Sequence, residues 1–408
     1  MASADTLFRR ITDYASRADP YPLYSELRRH RVARQAEGGY LVGTYHEVVG
    51  LFHDPRISSD RRNRTVQDPF FGNRPSTLVS FIGRDDPEHE RLRTIAMRPF
   101  GPPHAPGRID AMRAEIEGIA GELLDGLRGR DRIDLVDDFA YPLPVTVICR
   151  LLGVPREDEP RFHAWADTLI AGFDPTPGTD PAERQRAAEE ARGAMGSYLG
   201  DLAESRRGHP TDDMLSAFVN DPGPSGGFTE VELMATAVLL LVAGHETTVN
   251  LIANGVLTLL RHPDVLEQLR GTPELMPRAV EELLRYDPPV QLLPQRTALT
   301  DIEVADVTIP KGTPVILVLA AGNRDPRRFK EPDRFDPTRP DNQHLGFGSG
   351  VHSCFGAPLA RVEGQIALTA LVHRLHDPRL LQDPPEYRRN PVLRGPRHLP
   401  LAVSGIGD

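Results

Sequence analysis

Ten consecutive residues of this chain read Phe347-Gly348-Ser349-Gly350-Val351-His352-Ser353-Cys354-Phe355-Gly356. Glycines stand on both sides of Cys354, where they permit positive φ angles and let the backbone approach a flat ligand closely. A helical pattern runs from Ala357 to about Leu375, so the amides at its start should favour the thiolate form of the cysteine. With the aromatic Phe347 beside it, such a thiolate is a competent axial ligand for haem iron.

The chain of 408 residues contains two cysteines. Cys149 lies inside an apolar run from Val145 to Leu152, which predicts a buried and inert side chain. Two cysteines exclude a disulfide framework, a four-cysteine zinc site and an all-cysteine iron-sulfur cluster. Cys354 is therefore the sulfur that we expect to carry chemistry.

The composition is that of a soluble globular protein, with 39% hydrophobic and 26% charged residues. The formal net charge is −10, and no basic block is interleaved with aromatic residues, so we expect no nucleic-acid partner. Residues 1–30 mix acidic and basic side chains and contain no apolar run of signal-peptide or spanning length. These features predict a cytoplasmic protein with no membrane anchor.

The spacing of apolar residues predicts a mainly α fold with small β-sheets. No stretch resembles an interdomain linker or a repeat, so we expect residues 1–408 to form a single domain. Helical spacing dominates from about residue 105 to residue 290. The β-branched runs that predict strands are Tyr40 to Gly43, Val304 to Ile309 and Val315 to Ala320.

The clearest single element is a long helix that begins after Thr229. Thr229 and Glu232 have the spacing of a reciprocal capping box, and no proline follows until Pro263, so the helix could exceed thirty residues. The run from Val238 to Ala243 is wholly apolar, which predicts that the helix crosses the protein interior. That run is too short to span a bilayer.

The middle of this helix contains the unexpected group Ala243-Gly244-His245-Glu246-Thr247-Thr248. A glycine inside a helix costs roughly 1 kcal/mol relative to alanine, and a buried glutamate is costly unless it is paired or solvated. Thr247 can donate to the carbonyl oxygen of Ala243 and open a local groove. A zinc-binding helix is excluded because position 249 is valine and not a second histidine.

The pattern Phe-Gly-x-Gly-x-His-x-Cys-x-Gly resembles the cytochrome P450 haem-thiolate monooxygenases, specifically the soluble bacterial members. The resemblance covers essentially the whole chain. It implies the cytochrome P450 fold, in which the long central helix lies over the haem and the cysteine loop lies beneath it. It also implies that Cys354 ligates the iron of haem b (iron protoporphyrin IX), with Phe347, Gly348 and Ala243 in the cofactor site.

Further segments match the family in order and spacing. His89 and Arg93 are four residues apart on one predicted helix face, and the resemblance implies that they bind the haem propionates together with Arg296 and His352. The Glu-x-x-Arg pair of the family corresponds to Glu282 and Arg285, with a structural role. Either Arg334 or Arg339 should complete an ion-paired network with that pair, and the sequence leaves the choice open.

The resemblance assigns roles in catalysis to three residues of the central helix. Gly244 would make room for dioxygen, the co-substrate, and Glu246 and Thr247 would form an acid-alcohol pair that delivers protons. The substrate would be an apolar small molecule, hydroxylated or epoxidised as part of secondary-metabolite tailoring. The residues predicted to line its chamber are Phe70, Phe71, Leu78, Leu240, Val290, Leu292, Leu293 and Leu393.

The electrons must come from other proteins, because the chain has no Gly-x-Gly-x-x-Gly dinucleotide loop. The resemblance implies a ferredoxin and a ferredoxin reductase, with NAD(P)H used only indirectly and the enzyme itself a monomer. The ferredoxin would dock on the Cys354 side, near Arg98, Arg327 or Arg361.

Two alternatives remain open. A haem-thiolate peroxygenase would use hydrogen peroxide directly and would not need Glu246 and Thr247. A non-catalytic haem-binding protein would also keep Cys354.

Overall fold

The computed structural model describes residues 4–36, 38–65, 80–101, 105–173, 180–221 and 223–407. The α-helices in these ranges are α1 Leu7–Thr12, α2 Tyr21–His30, α3 Tyr45–Phe52, α4 Glu88–Met97, α5 Arg108–Ala111, α6 Arg113–Asp125, α7 Pro142–Leu152, α8 Glu159–Phe173, α9 Pro181–Ser205, α10 Met214–Asn220, α11 Glu230–Arg261, α12 Pro263–Gly271, α13 Met276–Tyr286, α14 Leu319–Gly322 and α15 Ala357–Arg374. Short 3-10 helices are Ala4–Thr6, Tyr14–Ser16, Arg61–Asn63, Phe81–Gly83, Arg156–Asp158, Pro273–Leu275 and Gly350–His352, and a π-helix spans Val136–Ala140.

The strands of the described residues are short. They are β1 Val32–Arg34, β2 Tyr40–Val42, β3 Ile57–Ser58, β4 Arg132–Asp134, β5 Leu293–Ala298, β6 Ile302–Val304, β7 Val307–Ile309, β8 Pro314–Leu317, β9 Leu375–His376, β10 Arg379–Leu380, β11 Pro400–Ala402 and β12 Gly405–Ile406. They form a five-stranded sheet in the order β1-β2-β8-β5-β3, a three-stranded sheet β10-β11-β4, and the pairs β12-β9 and β6-β7. Only β2 and β8 run parallel among these pairs. The predicted fold class, mainly α with small sheets, is confirmed.

Two of the predicted strands have different limits from those expected. The run from Val304 to Ile309 is a hairpin, because Ala305 and Asp306 have φ angles of 51° and 67° and reverse the chain. The run that begins at Val315 leaves the sheet after Leu317 and enters α14. Periodicity alone cannot distinguish a short buried strand from a buried helical turn.

The predicted central helix is α11, which has 32 residues. Its capping box is formed, since the Thr229 N–H donates to Glu232 Oε2 at 2.9 Å and the Glu232 N–H donates to Thr229 Oγ1 at 3.3 Å. By length and composition α11 could cross a membrane, but 72% of its most apolar 18-residue window is buried. This burial is that of a core helix, as the sequence predicts.

The core is divided by the helices and the larger sheet. Helix α11 packs against α7, α9 and α15 in the largest apolar cluster. The five-stranded sheet has a second cluster on one face, with Val42 and Leu317, and a third on the other, with Leu41 and Ile316. Neighbouring side chains of a strand point to opposite faces, so consecutive residues enter different clusters.

An ion-paired network ties α13 to the loop that precedes the cysteine segment. Arg285 Nε donates to Glu282 Oε2 at 2.7 Å, and both side chains are fully buried. Arg339 Nε lies 3.3 Å from the same oxygen, and its side chain is 8% exposed. The Arg334 side chain is 62% exposed, and only its carbonyl oxygen accepts from Arg285. The residue that completes the network with Glu282 and Arg285 is therefore Arg339.

Candidate active site

The loop before α15 is shaped by two glycines with positive φ angles. Gly348 has φ of 67° and Gly350 has φ of 70°. A Cβ atom on Gly350 would lie 2.4 Å from the backbone oxygen of Phe52, closer than side chains tolerate. Gly356 has φ of −80° and no atom within 4 Å of its Cβ position, so it faces open space. The predicted need for positive φ holds at Gly348 and Gly350 and not at Gly356.

Cys354 lies at the end of this loop, next to the first turn of α15. Its N–H donates to the carbonyl oxygen of Phe347 at 2.8 Å, which keeps that aromatic residue adjacent to it. The largest influence on the pKa of Cys354 is desolvation, which raises it, whereas hydrogen bonds from the amides of Gly356 and Ala357 lower it. The amides act as the sequence predicts, but the pKa is raised overall.

The two cysteines differ in exposure. Cys354 has exposed surface, yet the surrounding protein desolvates its thiol. A side chain that lines an internal space has both of these properties. Bonding to a metal cation deprotonates a thiol outright and so overcomes the desolvation penalty. Cys149 is fully buried, and desolvation raises its pKa to about 12. It is inert, as expected.

Four basic side chains meet beside the cysteine loop. They are His89 and Arg93 from α4, Arg296 from β5, and His352 from the loop itself. The ring centroids of His89 and His352 lie 4.1 Å apart, and Arg93 Nη2 donates to the Ser353 carbonyl oxygen at 2.8 Å. Desolvation, followed by the charges of the other three basic residues, lowers the pKa of His352 to about 3. Desolvation also lowers the pKa of Arg296 to about 10.

This cluster fits the two carboxylates of a haem. Nε2 of His89 is buried and has no hydrogen-bond partner among the described residues, while Nδ1 lies 3.1 Å from Asp86 Oδ1. Because Asp86 engages Nδ1, the buried Nε2 is the polar atom of His89 that still needs a partner. Propionate groups would accept from these donors and relieve the repulsion between like charges. Asp86 was not identified from the sequence, although it stands three residues before His89.

The groove predicted in the central helix would lie at Ala243 and Thr247, where α11 is continuous. Leu241, His245 and Val249 are buried, yet Ala243 is exposed and Thr247 is partly exposed. Thr247 Oγ1 donates to the Ala243 carbonyl oxygen at 2.7 Å, as predicted. Exposed surface in the middle of a buried helix means that an internal space lies beside these two residues.

Gly244 does not face that space in the way the resemblance implies. A Cβ atom on Gly244 would meet Ile148 of α7 at 3.5 Å, an ordinary packing distance. Ala243 is exposed, and Gly244 is only partly exposed. A role for Gly244 in admitting dioxygen stays a prediction that this geometry does not favour.

Glu246 has a buried partner that sequence reasoning missed. Arg388 Nε lies 3.1 Å from Glu246 Oε1, and the side chains are 9% and 6% exposed. Asn250, one turn further along α11, donates from Nδ2 to the same oxygen at 3.4 Å. The only available signal was the need of a buried carboxylate for a cation, and that need does not identify one arginine among many.

The residues predicted to line the substrate chamber do not all lie at one site. Phe70, Phe71 and Leu78 lie outside the described residues. Val290 and Leu393 are brought together by an isolated antiparallel bridge.

The three remaining leucines of that set lie in the core or pack against it. Leu292 is fully buried in the same cluster as Leu41 and Ile316, so its prediction as a chamber residue is wrong. Leu293 follows it with the opposite orientation and packs against the other face of the sheet. Leu240 is buried in the cluster around α11.

The three arginines expected at the docking face are all engaged in ion pairs. Arg98 lies 2.8 Å from Asp221, and Arg327 lies 3.1 Å from Asp325. Arg361 lies 2.7 Å from Glu281. The guanidinium of Arg361 also lies 4.6 Å from the ring centroid of Phe347 and lowers the pKa of Cys354. Arg361 is therefore on the cysteine side, and docking at any of the three stays a prediction.

Known proteins resemble this chain over nearly all of its length. A family model described as Cytochrome P450 matches residues 80–271 and 273–398. The Cytochrome P450 monooxygenase PikC of Streptomyces venezuelae is 41% identical over 395 residues, which cover 94% of this chain and 91% of PikC. The Mycinamicin IV hydroxylase/epoxidase of Micromonospora griseorubida is 40% identical over 370 residues, which cover 90% of this chain and 89% of that protein.

Solved structures agree with these relatives. The cytochrome P450 PksS of the Bacillus subtilis bacillaene polyketide synthase superposes with a TM-score of 0.87 at 33% identity, covering 97% of this chain and 99% of PksS. This superposition confirms the fold predicted from the sequence.

Proposed function

Because this chain belongs to the cytochrome P450 family, we propose that it inserts one oxygen atom of dioxygen into an apolar small molecule, by hydroxylation or epoxidation. The chain is an oxidoreductase of the monooxygenase type, as its relatives are. The observation that carries the proposal is the exposed sulfur of Cys354 inside the fold, with four basic side chains beside it.

The cofactor of the family is haem, and we propose haem b in this protein. Cys354 would hold the iron, and His89, Arg93, Arg296 and His352 would hold the propionates. When bound, the haem supplies the binding and reductive activation of dioxygen. The amides of Gly356 and Ala357 hydrogen-bond to the sulfur and temper the negative charge that it carries as a ligand.

Residues in the middle of α11 would supply the protons. Reduction of dioxygen consumes protons, and Thr247 provides a hydroxyl with exposed surface there. Because its proton is donated to the Ala243 carbonyl oxygen, the lone pairs of Oγ1 are available to hold an ordered water. Glu246 is the neighbouring acid that would replace the protons used.

The proposed substrate class and redox partners are supported by the family and by the names of its members. Secondary-metabolite tailoring is supported by relatives such as PksS, whose name places it with a polyketide synthase. A ferredoxin and its reductase would bring electrons from NAD(P)H, since bacterial members of the family use redox partners. We propose a monomer of one domain that works in the cytoplasm.

The first test is spectroscopic. The purified protein, reduced and exposed to carbon monoxide, should show the long-wavelength band for which the family is named. Cys354→Ser should abolish that band, whereas the matched variant Cys149→Ala should keep it, because Cys149 is buried away from the site. A band that survives Cys354→Ser would refute the thiolate assignment.

The second test is turnover. A spin-state titration against a library of apolar metabolites identifies ligands, which are then incubated with ferredoxin, reductase and NADPH. We expect the product to contain one oxygen atom from labelled dioxygen. Turnover with hydrogen peroxide alone would indicate a peroxygenase, and binding without any turnover would indicate a haem-binding protein. Either result would overturn the proposal.

A further inference from the structure

The buried ion pair of Glu246 joins two distant parts of the chain. Arg388 lies more than one hundred residues after Glu246 and reaches it at 3.1 Å across the protein interior. Removing one member of such a pair leaves an uncompensated buried charge, which is far more costly than any loss of attraction at the surface. The position of Glu246 therefore depends on where Arg388 is held.

Arg388 is held by a hairpin formed by residues 386–397. The Arg388 N–H donates to the Gly395 carbonyl oxygen at 3.0 Å, and the Arg397 N–H donates to the Glu386 carbonyl oxygen at 2.7 Å. A Cβ atom on Gly395 would lie 2.0 Å from Asn250 Oδ1, so the hairpin backbone rests directly on α11 one turn after Glu246. Only glycine permits this approach.

The other end of the hairpin lies at the predicted substrate segment. Leu393 pairs with Val290 through an isolated β-bridge, and the Arg394 N–H donates to the Pro289 carbonyl oxygen at 2.8 Å. One short hairpin thus contacts the substrate segment at its tip and the acid of α11 at its base. Cross-strand hydrogen bonds connect the two ends.

We propose that Arg388 is a positioning residue for proton supply: its guanidinium holds the Glu246 carboxylate group in place, and its hairpin ties that arrangement to the substrate segment. This inference rests on the proposed function, since it assigns Glu246 a part in proton supply. It adds a residue from outside α11 to the reaction.

Other charged and titratable groups surround this pair and bear on its pH dependence. Three groups interact electrostatically with Arg388 or Glu246: Tyr141 at the start of α7, Asp137 in the π-helix and His245 on α11. Four further groups interact with one of these three or lie next to it: His163 and Asp167 on α8, and Asp134 and His398 beside Asp137. Burial, followed by Arg388, lowers the pKa of His245 to about 3, so His245 is neutral at working pH and does not compete for Glu246. Two of these acids are exposed, namely Asp137, whose side chain is 60% exposed, and Asp167.

The test compares Arg388→Met with Arg388→Lys and with the control Arg389→Met. Arg389 belongs to the same hairpin but stacks on Tyr14, with its guanidinium 4.1 Å from the ring centroid. With ferredoxin, reductase and NADPH, Arg388→Met should lower product formed per NADPH about tenfold and raise peroxide correspondingly. Arg388→Lys should recover most of the loss, and Arg389→Met should behave as the wild type.

A second measurement separates positioning from mere folding and does not depend on turnover. Arg388→Met leaves Glu246 buried without its cation, so infrared spectra should gain a protonated-carboxyl band that disappears in Arg388→Met/Glu246→Gln. The dependence of coupling on pH should shift to higher pH by about one unit or more. The double variant removes both charges and shows that the hairpin folds without them.

Failure of this inference is distinct from failure of the proposed function. If the wild type turns over but Arg388→Met keeps its coupling, its pH profile and its infrared spectrum, the positioning role is refuted. If the wild type forms no product with any redox partner, the proposed function itself is refuted.

Discussion

The imidazole rings of His89 and His352 lie 4.1 Å apart, although 263 positions of sequence separate them. One ring comes from the first turns of α4 and the other from the cysteine loop. Arg93 and Arg296 add two further basic groups beside these rings. Their contact indicates a site built to receive anionic groups.

We expect His89→Phe to weaken haem retention. The variant keeps a ring in the buried position but removes the Nε2 donor, and a charge-assisted hydrogen bond contributes about 1.5 to 3 kcal/mol. Haem transfer to an excess of apomyoglobin should therefore be at least about tenfold faster. His46→Phe, an exposed histidine on α3, is the control. Equal transfer rates for His89→Phe and wild type would contradict the propionate assignment.

Thr247 and its neighbour Thr248 form a matched pair for testing proton supply. Both hydroxyls donate to a carbonyl oxygen four residues earlier, at 2.7 Å and 2.9 Å, but Thr247 is partly exposed and Thr248 is buried. Thr247→Ala should keep haem and divert electrons to peroxide, with product per NADPH reduced on the order of 10²-fold. Thr248→Ala should keep its coupling. Equal coupling in the two variants would argue against Thr247.

Arg339 and Arg334 should differ sharply in their effect on stability. Removing Arg339 leaves the fully buried Glu282 with one cation fewer, and breaking a buried pair costs about 3 kcal/mol or more. The exposed side chain of Arg334 makes only surface pairs, so Arg334→Met should change the free energy of unfolding by less than about 0.5 kcal/mol. Urea unfolding of both variants measures the difference. An equal loss would show that Arg339 does not complete the network.

Acid should destabilise the protein partly through His245. Its folded-state pKa is about 3, against 6.5 for an ordinary histidine, because burial and Arg388 disfavour the charged ring. The unfolded state therefore binds the proton first, so this contribution to stability is complete above about pH 6.5 and is lost as the pH falls towards 3. Between about pH 7 and pH 5 the loss should be about 2 kcal/mol.

Urea unfolding of His245→Phe across that pH range checks the prediction. The variant should lose less stability on acidification than the wild type. The exposed His30, at the end of α2, is the control position, and His30→Asn should retain the wild-type pH dependence. If the free energy of unfolding of His245→Phe depended on pH as steeply as that of the wild type, the prediction for His245 would be wrong.

The sequence alone identified the elements that depend on local patterns. The capping box of Thr229 and Glu232, the length of α11 and the hydrogen bond from Thr247 to Ala243 all follow from spacing within a few residues. The loop around Cys354 was identified in the same way, because its glycines and its following helix are contiguous in sequence. Local geometry determines such features, so local sequence predicts them.

Only the tertiary structure decided which distant groups meet. The choice of Arg339 over Arg334 depends on the path of the loop around Glu282. The pairing of Glu246 with Arg388 depends on the packing of a hairpin against α11. The burial of Leu292 depends on the face of the sheet to which its side chain points. A buried charge requires a partner, but its energy depends on distance and burial and not on sequence separation. For that reason one arginine among many can be chosen only after the chain has folded.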